Sequence, residues 1–438
     1  MRIRTLVIAA SLAAAACADP SEPPVSEDLP GEPSKADHSE FQLSGARGWY
    51  VVGNALTPGQ DRLDLTITTT GDARVVDLWL DNRYVRRATR QGNKFTFSID
   101  LKTVAVGSHR ILLAADGARV AFAAVPFQRS HPLYIAVSND WDDPDNADPM
   151  LERQERLHAR HPHLVMTHFV GPYTFTDPAI TPARRQRLVQ WVTNLRDTEG
   201  DEIGLHVHPY CNFVRTAGVT CRTSPSFAYA NGDTSGYTVI LASYTRAELE
   251  KLFVRAADLF EQNGLGRPTS FRAGGWTADT NVLQALGTAG HVADSSGCNW
   301  SRLEEWADNS GAALYAWNRE NWAAIDATSQ PYYPSTTDIL ADAAPHIPVL
   351  EVPNNGLLVD YVSGAEMIDM FQQNWPERRP LAEPTVYAIG YHPPNFSETY
   401  FSRMDVALTE IDKYLALEGT GPVIYARMSD LKKVFPQP

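Results

Sequence analysis

"GDEIGLHVHPY", residues 200–210, decides how the larger part of this chain folds. Side chains two positions apart on a strand share a face. Ile203, Leu205 and Val207 therefore form one apolar face, and Gly204, His206 and His208 form the other. An apolar face packs against helices, while an imidazole pair opposite it suits a metal site or two solvated histidines at a sheet edge. The flanking sequence separates these readings.

From residue 131 onward, short apolar runs alternate with helical patterns. The runs are "LYIAVSN", "HLVMTHFVG", "EIGLHVH", "SFRAGG", "HVADSS", "PVLEVP", "TVYAIGY" and "VIYAR". Between them, "TRAELEKLFVRAADLFEQNGLGRP" opens on a capping box, Thr245 with Glu248. It carries Leu249, Leu252, Phe253, Ala256, Leu259 and Phe260 on one face and stops at Gly264. "SGAEMIDMFQQNW" repeats the device with Ser363 and Glu366. Repeated strand-then-helix units predict a parallel α/β sheet, and this many of them predict a closed or nearly closed barrel with its chemistry at the C-terminal ends of the strands.

Those ends carry polar groups that a core has no use for: Asp140, Asp142 and Asp143 in "SNDWDDPD", His168 in the second run, His206 and His208, Arg272 and Trp276 in "FRAGGW", Asp294, and His392 in "GYHPP". Carboxylates and imidazoles are costly to bury unless paired or metal-bound. Two imidazoles and a carboxylate make a zinc-type catalytic set with one coordination position open, and cobalt or nickel suits the same donors. His168 alone reads as a satisfied core histidine.

In order, "NDWDD", "EIGLHVHPY", "SFRAGGW", "VADSSGCNW" and "AIGYHPP" resemble the five motifs of the NodB-like polysaccharide deacetylases, carbohydrate esterase family four. The resemblance covers residues 131–438 and implies a distorted (β/α)7–8 barrel. It also implies roles: Asp140 as catalytic base, Arg272 orienting it, Asp142, His206 and His208 as metal ligands, His392 as general acid and Asp294 orienting His392. Asp143 is a rival ligand. The chain departs from the family in lacking its Thr-Phe-Asp-Asp-Gly and in placing Tyr210 where the second histidine of His-x-x-x-His is expected. It also has "RAGGW" in place of the Pro-Tyr arginine motif. Tyr210 and Trp276 are candidate substrate-binding residues, although aromatic side chains are more often packing.

The chain begins "MRIRTLVIAASLAAAAC": a basic start, an apolar stretch too short to span a bilayer as a mature helix, then small residues into Cys17. This resembles a bacterial lipoprotein signal, residues 1–17, with Cys17 lipidated; an ordinary secretory signal is the alternative. Either implies export, and lipidation implies anchoring in the cell envelope, with outer-membrane sorting favoured by the absence of aspartate after Cys17. Residues 18–45, rich in Pro, Ser and acids, read as a disordered tether. Residues 46–128 alternate with period two: Leu63, Leu65, Ile67, then Val76, Leu78, Leu80, then Phe95, Phe97, Ile99. They predict a small all-β sandwich resembling immunoglobulin-like modules. The chain is thus multi-domain.

A net charge of −14 argues against nucleic acid as a partner. Export permits disulfides, and Cys211 and Cys221 bracket a short segment, which predicts a loop-closing bridge and leaves Cys298 unpaired and buried. Together these readings imply a divalent-metal hydrolase removing N-acetyl groups from an extracytoplasmic glycan. The alternatives are a lipid-anchored, non-catalytic glycan binder and a hydrolase of small non-sugar amides, the last expected to have a closed pocket.

Overall fold

The computed structural model describes residues 29–33, 39–230, 232–310 and 313–438. The signal segment, Cys17 and much of the expected tether lie outside the described residues. Compactness divides the chain into two units. One comprises residues up to Ala46 with Arg62–Leu101 and Ser108–Phe127; the other comprises Arg47–Asp61, Lys102–Gly107 and Gln128–Pro438.

Among its described residues the smaller unit is built of strands. Arg62–Thr69 pairs antiparallel with Phe41–Ser44 and Lys94–Asp100, and Val75–Leu80 pairs antiparallel with Arg83–Thr89 and Gly107–Ala115. Leu63, Leu65, Ile67, Phe95, Phe97 and Ile99 all turn inward, as their alternation requires. Val75–Leu80 departs from one-sided burial, since Asp77 and Trp79 are buried as well as Val76 and Leu78. This strand lies between two others, and Asp77 is sheltered by a two-pronged ion pair from Arg87, both bonds 2.8 Å.

In the larger unit each of the eight apolar runs contains one strand: β1 (Leu133–Asp140), β2 (Met166–Val170), β3 (Glu202–Val207), β4 (Ser270–Ala273), β5 (Ala293–Asp294), β6 (Leu350–Glu351), β7 (Thr385–Tyr391) and β8 (Val423–Tyr425). The sheet order is β6-β5-β4-β3-β2-β1-β7, with β8 also on β1, and every pairing is parallel. It is a curled parallel half-barrel rather than a closed ring, because β6 and β7 do not pair. A strap after β6 fills the gap: the Gly356 N–H donates to the Ala388 carbonyl (2.8 Å) and the Val359 N–H to that of Gly390 (2.9 Å).

The intervening helices begin where their caps dictate. The helix Arg246–Gln262 has the full capping box of Thr245 and Glu248 and buries Leu249, Leu252, Phe253, Ala256, Leu259 and Phe260; Gly364–Gln373 has that of Ser363 and Glu366. Burying those apolar stripes against the sheet fixes the strand register, and the register fixes which side chains meet at the strand ends. No helix among the described residues is long and apolar enough to cross a membrane.

Candidate active site

Asp142, just past the end of β1, meets His206 and His208 from the end of β3. One ligand atom from each lies within 4.8 Å of the others. The tautomers follow from the hydrogen bonds. A carbonyl can only accept, so His206 Nδ1–H donates to the Arg272 carbonyl (2.9 Å) and His208 Nδ1–H to the Tyr237 carbonyl (2.8 Å). Each imidazole then turns its Nε2 toward the same carboxylate oxygen, Asp142 Oδ1, at 3.0 Å and 3.4 Å. His208 Nε2 is buried without a hydrogen-bond partner. Two imidazole Nε2 atoms and a carboxylate oxygen converging on one place are the donor set of a divalent-metal site, so these residues fit a divalent metal. Burial alone would raise the Asp142 carboxyl, but His392, His208 and His206 hold it well below the usual carboxylate range. Asp143 is exposed and stands outside the ligand group, so Asp142 is the carboxylate placed among the imidazoles.

Asp140 ends β1 and is almost wholly buried. Arg272 Nη1 donates to its Oδ1 at 2.9 Å and to Ser138 Oγ at 2.8 Å. The rest of the guanidinium is spent on Ser295: Nε donates to its carbonyl and Nη2 to its Oγ, both at 2.8 Å. Phe169 lies under the guanidinium, 4.8 Å from the ring centroid. These contacts fix the guanidinium, and through it the Asp140 side chain, in one orientation.

The arrangement corrects the expectation for Asp294. His392 Nδ1 meets Asp360 Oδ2 at 3.0 Å. Asp294 instead lies opposite Glu351 in the β5–β6 register and accepts from Ser296 Oγ at 2.8 Å. Burial raises the Asp294 carboxyl; burial and then the Asp294 charge raise Glu351 much further, so the pair shares a proton. The reason is topological. The strap after β6 runs beside β7, with Leu358 bridged to Gly390, and that pairing delivers Asp360 to His392. Burial pushes the His392 imidazole down, but Asp142 and Asp360 outweigh it and lift its pKa to about 10.

Asp140, Asp142, His206, His208 and His392 all line one cavity of about 190 Å3, walled by Tyr229, Tyr237, Trp276, Leu314 and Tyr361. Trp276 takes its expected place in the wall. Tyr210 does not: its hydroxyl donates to the Asp142 carbonyl (3.3 Å) and its ring packs on Tyr173. Gly275 also lines the cavity, with φ +59°, where an added Cβ would come within 3.0 Å of Leu314. It sits in a single three-residue turn, Gly274–Trp276, whose backbone is left-handed at Gly275. Tyr237 was not legible in the sequence. Burial and then the Asp142 charge push its phenol far above the usual range, so its hydroxyl stays a donor. A larger cavity, about 300 Å3, is lined by Val51, Pro58, Leu415 and Ile424 among others and holds no carboxylate.

His168 is fully buried and bonded to Asp201 at 2.8 Å, away from the ligand group. Cys211 and Cys221 are joined with Cα atoms 5.2 Å apart, and Cys298 is free and buried.

No family model matches the chain, and no curated protein matches it in sequence. Solved structures resemble its fold. A family 4 carbohydrate esterase from Streptomyces lividans, in complex with acetate, is 9% identical, covering 69% of this chain and 96% of that one, with a TM-score of 0.35. The peptidoglycan deacetylase PdaC from Bacillus subtilis is 13% identical, covering 70% and 93%, with a TM-score of 0.34. A Mycobacterium smegmatis protein, provisionally described as a polysaccharide deacetylase, is 13% identical, covering 70% and 92%, with a TM-score of 0.40.

Proposed function

We propose that this chain is a metal-dependent hydrolase of the NodB-like polysaccharide deacetylase type, cleaving an N-acetyl amide of an exported or surface glycan. One observation carries the reading: a His-His-Asp ligand group, an arginine-held aspartate and an aspartate-held histidine line a single cavity. Asp142, His206 and His208 would hold the ion, which when bound supplies Lewis acidity and a more acidic water. Asp140, fixed by Arg272, would take a proton from the attacking water as the water oxygen bonds to the acyl carbon. Gly275 lines the cavity, and its backbone N–H would serve as the donor to the acyl oxygen as it gains charge. His392, kept protonated by the carboxylates around it, gives its proton to the amine nitrogen as the C–N bond breaks. The products are acetate and a free amine. Export, lipidation at Cys17 and an immunoglobulin-like role for the smaller unit belong to this proposal as readings of the sequence.

The cavity favours a second reading of the substrate. At about 190 Å3 it is smaller than the roughly 300–1,000 Å3 of pockets that enclose a drug-sized ligand. It suits a chain-terminal unit or a small N-acyl amide better than a polymer passing through. The test is metal content of the purified protein and of His206→Ala, with acetate release measured on N-acetylated mono-, di- and tetrasaccharides and on simple N-acetyl amines. About one divalent ion per chain, lost in the variant together with acetate release, supports the proposal. Equal turnover of short and long substrates favours the terminal-unit reading, and a steep rise with length removes it. Neither metal nor release from any substrate would sink the hydrolase.

Asp360→Asn should reduce kcat by about tenfold or more with little change in KM. The alkaline limb of the pH profile should also move to lower pH. The sign follows from the pair: Asp360 raises the His392 pKa, so removing its charge lets the imidazole lose its proton earlier. An unchanged alkaline limb would show that Asp360 does not tune His392.

A further inference from the structure

Tyr237 touches two of the three ligand side chains in three ways. Its hydroxyl donates to Asp142 Oδ2 at 3.0 Å, its carbonyl accepts His208 Nδ1–H at 2.8 Å, and its ring stacks on the His208 imidazole with centroids 4.2 Å apart and planes at 26°. Asp142 Oδ1, which faces both imidazoles, is left for the metal because Tyr237 occupies Oδ2.

The residue is itself held from behind. The Cys211 N–H, next to the disulfide, donates to the Ser235 carbonyl at 2.7 Å. Asp233 accepts from the Ser235 N–H (2.7 Å) and the Thr238 N–H (2.8 Å), pinning both sides of the turn. Between them Gly236, at φ +90°, lies so close to the chain before the disulfide that an added Cβ would be 2.4 Å from the Pro209 carbonyl oxygen. Only glycine meets both the conformation and the approach there. The turn thus fixes the backbone of Tyr237 relative to the end of β3, where His206 is the penultimate strand residue and His208 follows Val207.

We propose that Tyr237 is the positioning residue of the metal centre: its hydroxyl sets the Asp142 carboxylate, and its carbonyl and ring set the tautomer and plane of His208. The proposal rests on the metal-site reading above and goes beyond it by assigning ligand geometry to a residue outside the ligand set. Groups that hydrogen-bond metal ligands from outside are worth about 10–100-fold in affinity.

The test is Zn2+ and Co2+ affinity by competition with a chromophoric chelator, for the wild-type protein, Tyr237→Phe and Tyr237→Ala. Tyr237→Phe keeps the ring and carbonyl and loses one hydrogen bond, so it should bind about tenfold more weakly, with altered Co2+ absorption bands. Tyr237→Ala also loses the stack and should approach 100-fold. Thermal midpoints in excess chelator should agree between wild type and Tyr237→Phe, which separates ligand positioning from folding. Affinities within twofold of wild type with unchanged Co2+ bands would overturn the role of Tyr237 and leave the metal site standing. A lower midpoint without a change in affinity would also overturn it. A wild-type chain that binds neither ion would overturn both readings.

Discussion

Asp140→Asn should lower acetate release by about 10^3-fold while the protein keeps its full metal content. The substitution is isosteric, and its amide oxygen can still accept from Arg272 Nη1, so the buried guanidinium retains its partner there. What disappears is the basic oxygen that would take a proton from water. Asp140 is not in the ligand group, and the Asp142, His206 and His208 cluster is intact without it. His206→Ala is the complementary case: it removes an Nε2 donor that faces Asp142 Oδ1 at 3.0 Å, and metal and activity should fall together. Activity of Asp140→Asn within tenfold of wild type would remove Asp140 as the base. Full activity of a metal-free His206→Ala would remove the metal from the reaction.

The parts of this site that were legible in the sequence are those written into strands. His206 and His208 share a face because a strand repeats every two residues, and Asp140 and Arg272 stand where apolar runs stop. Parallel pairing then brings such ends together: His206 is opposite Arg272 in the β3–β4 register. Asp360 and Tyr237 were not legible, because neither belongs to a periodic element. Asp360 reaches His392 through a strap whose pairing with β7 has no signature in its residues, and Tyr237 works through a carbonyl and a ring face across 29 residues of chain. Asp294 misled because a strand-end carboxylate looks the same whether it faces a cavity or a neighbouring strand. The single glutamate in "PVLEVP" was the available signal, since Glu351 is the partner that Asp294 finds. The half-barrel rather than a closed ring was equally hidden, for β6 is two residues long and the strap stands where an edge pairing would be.

Asp201→Asn should destabilise the larger unit by roughly 3–5 kcal/mol and flatten its acid limb. Asp201 precedes β3 with its side chain fully buried, and its Oδ2 receives His158 Nε2 at 2.9 Å and His168 Nε2 at 2.8 Å while its Oδ1 accepts the Met166 N–H at 2.8 Å. Burial raises this carboxyl, but the two histidines prevail and hold its pKa at about 2, against an ordinary value of 3.8. A pKa depressed in the folded state gives stability that is fully present above the unfolded value and is lost as pH falls through the folded one. The loss should therefore develop between about pH 4 and pH 2, and this group's share is roughly 2.5 kcal/mol. Asparagine keeps the acceptor for Met166 but carries no charge, and its amide group turns donors toward the histidines. Trp191, 5.5 Å from the His168 ring and edge-on to it, is a local reporter. The measurement is urea unfolding followed by tryptophan fluorescence from pH 7 to pH 2, in excess chelator so that the ligand cluster does not contribute through bound metal. The variant should start several kcal/mol lower and lose less between pH 4 and pH 2; parallel curves for the two proteins would show that Asp201 does not set the acid limb.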